Sequence, residues 1–68
     1  MLNKIKESRE YFGLSQRELA KKIGICSSEM SYIVAGLRIP NVFIALDIAH
    51  ALNTTVEKLF REDEYENE

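Results

Sequence analysis

An all-α fold organised around a helix-turn-helix is what this sequence predicts, on three observations between Gln16 and Ala35. Leu19 and Ile23 stand one helical turn apart, with the small Ala20 between them where a second helix could cross closely. Gly24 then supplies a residue free to take the left-handed backbone of a sharp turn. Met30 and Ile33 resume the helical spacing immediately afterwards.

The first helix is expected from Leu2 to Phe12, ended by Gly13 at a left-handed C-cap. Its inward stripe reads Leu2, Ile5, Arg9 and Phe12, which aims Arg9 at the edge of the core. A guanidinium there must snorkel to water, reach a phosphate or find an acid.

The second helix opens on Ser15, with Glu18 three residues on. Each side chain can satisfy a free backbone N–H of the first turn, which makes a capping box, and Leu14 with Leu19 can close over it as a hydrophobic staple. Cys26, Glu29, Ile25 and Met30 repeat the pattern ahead of the third helix, Ser27 to Ala35, which Gly36 closes. Cysteine is a poorer cap than Ser, Thr, Asp or Asn, at a cost of about 1 kcal/mol.

At about 100° per residue, Cys26, Met30, Ile33 and Leu37 share one face of the third helix, and Ser28, Ser31, Tyr32 and Ala35 share the opposite one. The first face is expected to pack, so Cys26 reads as a small buried residue in preference to a reactive thiol. With Ser27 beside it, the second face offers hydroxyls that suit base edges or phosphates in a major groove.

Pro40 cannot continue the preceding element and Asn41 caps the next, so the fourth helix runs from there to Leu52. Val42, Ala45, Leu46, Ala49 and Leu52 form its expected core stripe, with Ile48 alongside and Phe43 and Ile44 on the flanks. Asn53 suits a left-handed cap. Thr54 with Glu57 makes a third capping box for a short fifth helix carrying Val56, Leu59 and Phe60. His50 has no second ligand or carboxylate near it in sequence and reads as a surface residue.

Sixty-eight residues allow one domain and a modest core, so a dimer contact or a ligand would help it. No apolar run approaches a membrane span and the N-terminus lacks a signal-peptide core, so a cytoplasmic protein is expected. One cysteine and one histidine supply neither an internal disulfide nor a structural zinc site. No cofactor, metal or catalytic residue is expected, because there is no phosphate-binding glycine loop and no nucleophile with its base. Five of the eleven acids lie in residues 62–68, an acidic tail read as disordered. Residues 1–61, the expected domain, therefore carry nine bases against six acids, a net of +3. That is mild for a protein that tracks phosphates, and implies weak non-specific affinity.

Leu14, Ser15, Gln16, Leu19, Ala20, Gly24, Ser31, Gly36, Arg38, Pro40, Ile48, Ala49, Leu52, Leu59 and Phe60 fall in an order and spacing that resemble the small DNA-binding domains of phage Cro and repressor proteins, the XRE family. The resemblance runs from Leu2 to Phe60. It implies a five-helix, lambda-repressor-like fold in which Gln16 anchors to a phosphate, Ser27, Ser28 and Tyr32 read bases, and Arg38 touches the DNA backbone; Arg17 and Ser31 complete the expected contact set. Some relatives pair an arginine at the place of Arg9 with a glutamate at the place of Val34, an acid this chain lacks. Around Gly36 the family carries polar or basic residues, whereas here Val34, Ala35, Leu37 and Ile39 stand.

Two functions follow as expectations. The first is a transcriptional regulator, a repressor, that binds double-stranded operator DNA as a homodimer, with Phe43, Ile44, Val56 and Phe60 in the dimer contact. The alternative is a protein-interaction module of antitoxin or anti-repressor type, which would hold a protein partner on Leu37, Ile39, Phe43 and Ile44.

Overall fold

A computed structural model describes residues 3–60. Among them are five helices, α1 (Ile5–Tyr11), α2 (Gln16–Ile23), α3 (Ser27–Val34), α4 (Val42–Ala51) and α5 (Val56–Phe60), and no strand. The all-α, five-helix expectation holds; Leu2 and the acidic tail lie outside the described residues.

The start of α1 is set by Asn3, whose side-chain oxygen accepts from the Ile5 N–H at 3.1 Å while its amide donates to the Ile33 carbonyl at 2.9 Å. One side chain thus caps α1 and ties it to the end of α3. The Lys4 N–H donates to the Leu59 carbonyl at 3.0 Å, which joins the same end to α5. Of the expected stripe on α1, Ile5 is buried, but Phe12 stands half exposed with its ring edge-on to Tyr11 at 5.2 Å. The helix ends at Tyr11, so its wheel does not extend to Phe12.

Arg9 finds a partner that periodicity could not name. Its Nη1 donates to the Leu14 carbonyl at 2.8 Å, and the Leu14 N–H returns a bond to the Arg9 carbonyl at 3.0 Å. The guanidinium therefore fastens the turn between α1 and α2, while its Nε is buried and meets no acceptor among the described residues.

The capping box at α2 is complete: the Glu18 N–H donates to Ser15 Oγ at 3.0 Å and the Ser15 N–H to Glu18 Oε1 at 2.8 Å. Gly24 closes α2 at φ 81°, where a side chain would be strained whatever the space around it. Asn41 caps α4 by accepting from the Ile44 N–H at 2.9 Å, and Asn53 takes the left-handed conformation at φ 54°. The cap of α5 is shifted by one residue from expectation. Thr55, not Thr54, accepts from the Lys58 N–H, because the left-handed Asn53 directs the Thr54 N–H back to the Ala49 carbonyl.

The core gathers Ile5, Leu19, Ala20, Met30, Ile33, Ala45, Ile48, Ala49, Leu52, Leu59 and Phe60. On α4 the buried line is Ala45, Ile48, Ala49 and Leu52, while Val42 and Leu46 are exposed, contrary to the expected stripe. Ile48 takes the central place. Leu37, expected to pack, lies past the end of α3 and is exposed.

Candidate nucleic-acid interface

The two helices of the motif pack directly on each other, which leaves one face of α3 outward. Met30 and Ile33 are fully buried, so Ser27, Ser28, Ser31 and Tyr32 must point away from the core, and all four are exposed. Tyr32 keeps 49% of its surface open, enough for its ring and hydroxyl to meet a partner. Gln16 is half-buried and Arg17 exposed in the first turn of α2, beside the Ser15 cap.

Cys26 departs from expectation. It is exposed, and its sulfur makes no cap hydrogen bond but lies 3.3 Å from Ser28 Oγ. The Ser28 hydroxyl, and after it the backbone N–H of Glu29, whose geometry falls short of a cap bond, hold the thiol below its ordinary range. The expectation of a small buried residue on the packed face fails because the cap residue precedes the helix, with extended φ and ψ of −78° and 159°, and does not follow the helical wheel.

Glu29, which the second capping box assigned to Cys26, is turned elsewhere. Arg38 Nη1 donates to Glu29 Oε1 at 2.7 Å, and the guanidinium carbon sits 5.8 Å from the centre of the Tyr32 ring. Arg38 is thus brought onto the exposed face of α3, with its charge shared by Glu29. Sequence reasoning missed Glu29 as part of this face; the signal was its place three residues before Tyr32, which puts the two on one edge of the helix.

The residues expected at a dimer contact separate. Phe43 is 75% exposed, Ile44 and Val56 are half-buried against the core, and Phe60 is only 4% exposed. Phe60 belongs to the core of its own chain and leaves only an edge at the surface, because the short α5 has to use both Leu59 and Phe60 to cover the other helices. Val56 and the edge of Phe60 instead line an apolar groove of about 260 Å³ with Ile39, Pro40, Val42 and Ala45. Among the described residues no three His, Cys, Asp or Glu side chains could together hold a metal, and no helix is long and apolar enough to cross a membrane.

A helix-turn-helix family model matches residues 5–59, the span that contains all five helices except Phe60, the last residue of α5. The chain belongs to the helix-turn-helix family. Its resemblance to Cro and repressor domains is thereby accounted for. Two helix-turn-helix relatives from Archaeoglobus fulgidus, each named an uncharacterized HTH-type transcriptional regulator, are 35% identical over 66 residues, covering 97% of this chain and 94% and 93% of theirs. YgzD of Bacillus subtilis, named likewise, is 35% identical over 60 residues, covering 88% of this chain and 91% of its own. Among solved structures, a chain of the SinR protein/SinI protein complex superposes with a TM-score of 0.79 at 30% identity, over 93% of this chain and 68% of that one. SinR in complex with DNA, described as the master regulator for biofilm formation, superposes with a TM-score of 0.72 at 31% identity, over 78% of this chain and 86% of that one.

Proposed function

We propose that this helix-turn-helix protein is a DNA-binding transcriptional regulator that represses by occupying operator DNA as a homodimer, with α3 in the major groove. The observation that carries this reading is the outward face of α3, where three serines and a half-exposed tyrosine stand on a helix whose other side is fixed in the core. Hydroxyls can donate or accept, so Ser27, Ser28 and Ser31 suit base edges or phosphates with little discrimination, and Tyr32 suits a thymine methyl or a sugar. In this reading Gln16 and Arg17, at the start of α2, hold the phosphate backbone. The relatives named as transcriptional regulators and the likeness to DNA-bound SinR support it.

A dimer fits the small number of contacts that one α3 can make. Two copies would present their third helices about 34 Å apart, and so read half-sites one helical turn apart. Phe43, with Leu37, Ile39, Val42 and Leu46 exposed around it, is the surface we assign to that contact. The same surface could receive a protein partner, as the likeness to a SinR protein/SinI protein chain suggests, but family membership supports DNA binding over a module that holds protein alone.

The test is selection of bound sequences from a random duplex pool at two salt concentrations, followed by Tyr32→Ala on the selected site. Loss of about 1–3 kcal/mol of specific binding is expected, from the removal of one base contact. Unchanged affinity in that variant would refute the role given to α3.

A further inference from the structure

We infer that Glu29, acting through Arg38, is a specificity-determining residue: it keeps Arg38 off the phosphate backbone and seats it against Tyr32, so that the ring meets DNA in one orientation. The inference rests on the reading of α3 as the helix that faces DNA.

The geometry is fixed by backbone before any side chain acts. After α3, the Gly36 N–H donates to the Ile33 carbonyl at 3.0 Å and the Leu37 N–H to the Tyr32 carbonyl at 2.9 Å, with Gly36 at φ 79°. A chain turned this tightly returns Arg38 to the helix it has just left. Glu29 and Tyr32, three residues apart, share the edge that Arg38 meets. The bond from Arg38 Nη1 to Glu29 Oε1, at 2.7 Å, is charge-assisted and sets where the guanidinium lies. That position is over the Tyr32 ring, at 5.8 Å from its centre, within reach of a cation–π contact.

Two consequences follow for DNA. The guanidinium covers part of the Tyr32 ring and narrows the orientations that it can adopt, which favours selective contact over general stickiness. The carboxylate also takes up a positive charge that would otherwise pair with a phosphate, so each protomer gives up one sequence-independent contact. In a chain whose residues 1–61 carry a net of only +3, one withheld cation is a sizeable share of the attraction. Glu29 therefore trades affinity for selectivity.

The experiment compares the whole protein with Glu29→Gln, Arg38→Gln and the double variant. Binding to the selected site and to an unrelated duplex is measured across salt concentrations, and the Tyr32 ring resonances are recorded without DNA. Glu29→Gln is expected to bind the unrelated duplex more tightly and to steepen the slope of log affinity against log salt by about 0.9 for each phosphate gained. The double variant should return to the parent slope, since the gain needs Arg38. Arg38→Gln should lower selectivity at the base that Tyr32 meets while leaving the slope unchanged, and both single variants should move the Tyr32 ring resonances in the free protein. A shallower slope in Arg38→Gln would overturn the inference, because Arg38 would then already be on a phosphate; so would an unchanged slope in Glu29→Gln, or unmoved Tyr32 resonances in both. Failure of the parent protein to bind any duplex would instead overturn the DNA reading, and the specificity role with it.

Discussion

Cys26 shows how much one atom decides at a helix start. A serine there would present an oxygen to the free N–H groups of α3, whereas the thiol makes no cap bond and turns to Ser28 Oγ at 3.3 Å. Cys26→Ser is therefore expected to raise the melting temperature by a few degrees, measured by thermal unfolding under reducing conditions. A lowered value would show that the sulfur packs in a way its exposure does not suggest. The same exposure, with a thiol held below its ordinary range by Ser28, predicts that the native protein reacts with a thiol reagent at neutral pH about as fast as the unfolded chain or faster. Strong protection would contradict the structure at this residue. Ser28 belongs to the face assigned to DNA, so bound duplex should slow the reaction.

At the scale of the element, the capping box of α2 makes an acid-sensitive helix start. The backbone N–H of Ser15, and secondly its hydroxyl, hold the Glu18 carboxyl below its ordinary value of 4.5. A group whose folded pKa is depressed stabilises the fold fully above its unfolded value, and that contribution is lost as pH falls through the lower folded one. Glu18→Gln should therefore remove part of the loss of stability that the parent protein shows below about pH 4.5. Ser15→Ala should cost about 0.5–2 kcal/mol at neutral pH, read from denaturant unfolding. These caps were legible in sequence because they depend on residues three apart, and so were Gly24, Asn41 and Asn53. What was hidden has particular causes. The helix α4, VFIALDIAHA, is apolar on nearly every side, so its spacing could not say that Ile48 is central and Val42 and Leu46 are exposed. Phe12, Cys26 and Leu37 lie just beyond helix ends, where the wheel no longer applies. Thr54 and Thr55 are adjacent and chemically alike, so only the backbone at Asn53 could choose between them. Glu29 was claimed by a partner nine residues away, Arg38, which local patterns do not reach. The outward hydroxyl face of α3 needed none of this, since burial of Met30 and Ile33 alone determines it.

At the scale of the whole molecule, the question is what the exposed apolar side chains are for. A chain of this size buries a modest fraction of its surface, yet it leaves Leu37, Ile39, Val42, Phe43 and Leu46 in the open, in the loop after α3 and the first half of α4. Phe43 projects as a knob, 75% exposed, and the apolar groove of Ile39, Pro40, Val42, Ala45, Val56 and Phe60 is a hollow built from the same loop and helix. In a two-fold contact each copy gives the other both its knob and its hollow, which is what a self-complementary surface requires. Such a dimer makes stability depend on concentration, because association favours the folded chain by mass action. The melting temperature of the parent protein should therefore rise with protein concentration. Phe43→Asp should abolish that rise and sediment as a folded monomer, since an exposed side chain can be changed without disturbing the core. If the DNA reading also holds, the monomer engages one half-site and fewer phosphates, so operator affinity should fall steeply and its salt dependence should become about half as steep. A Phe43→Asp protein that still sediments as a dimer would move the contact to another surface, and would leave the face of α3 to be judged on its own test.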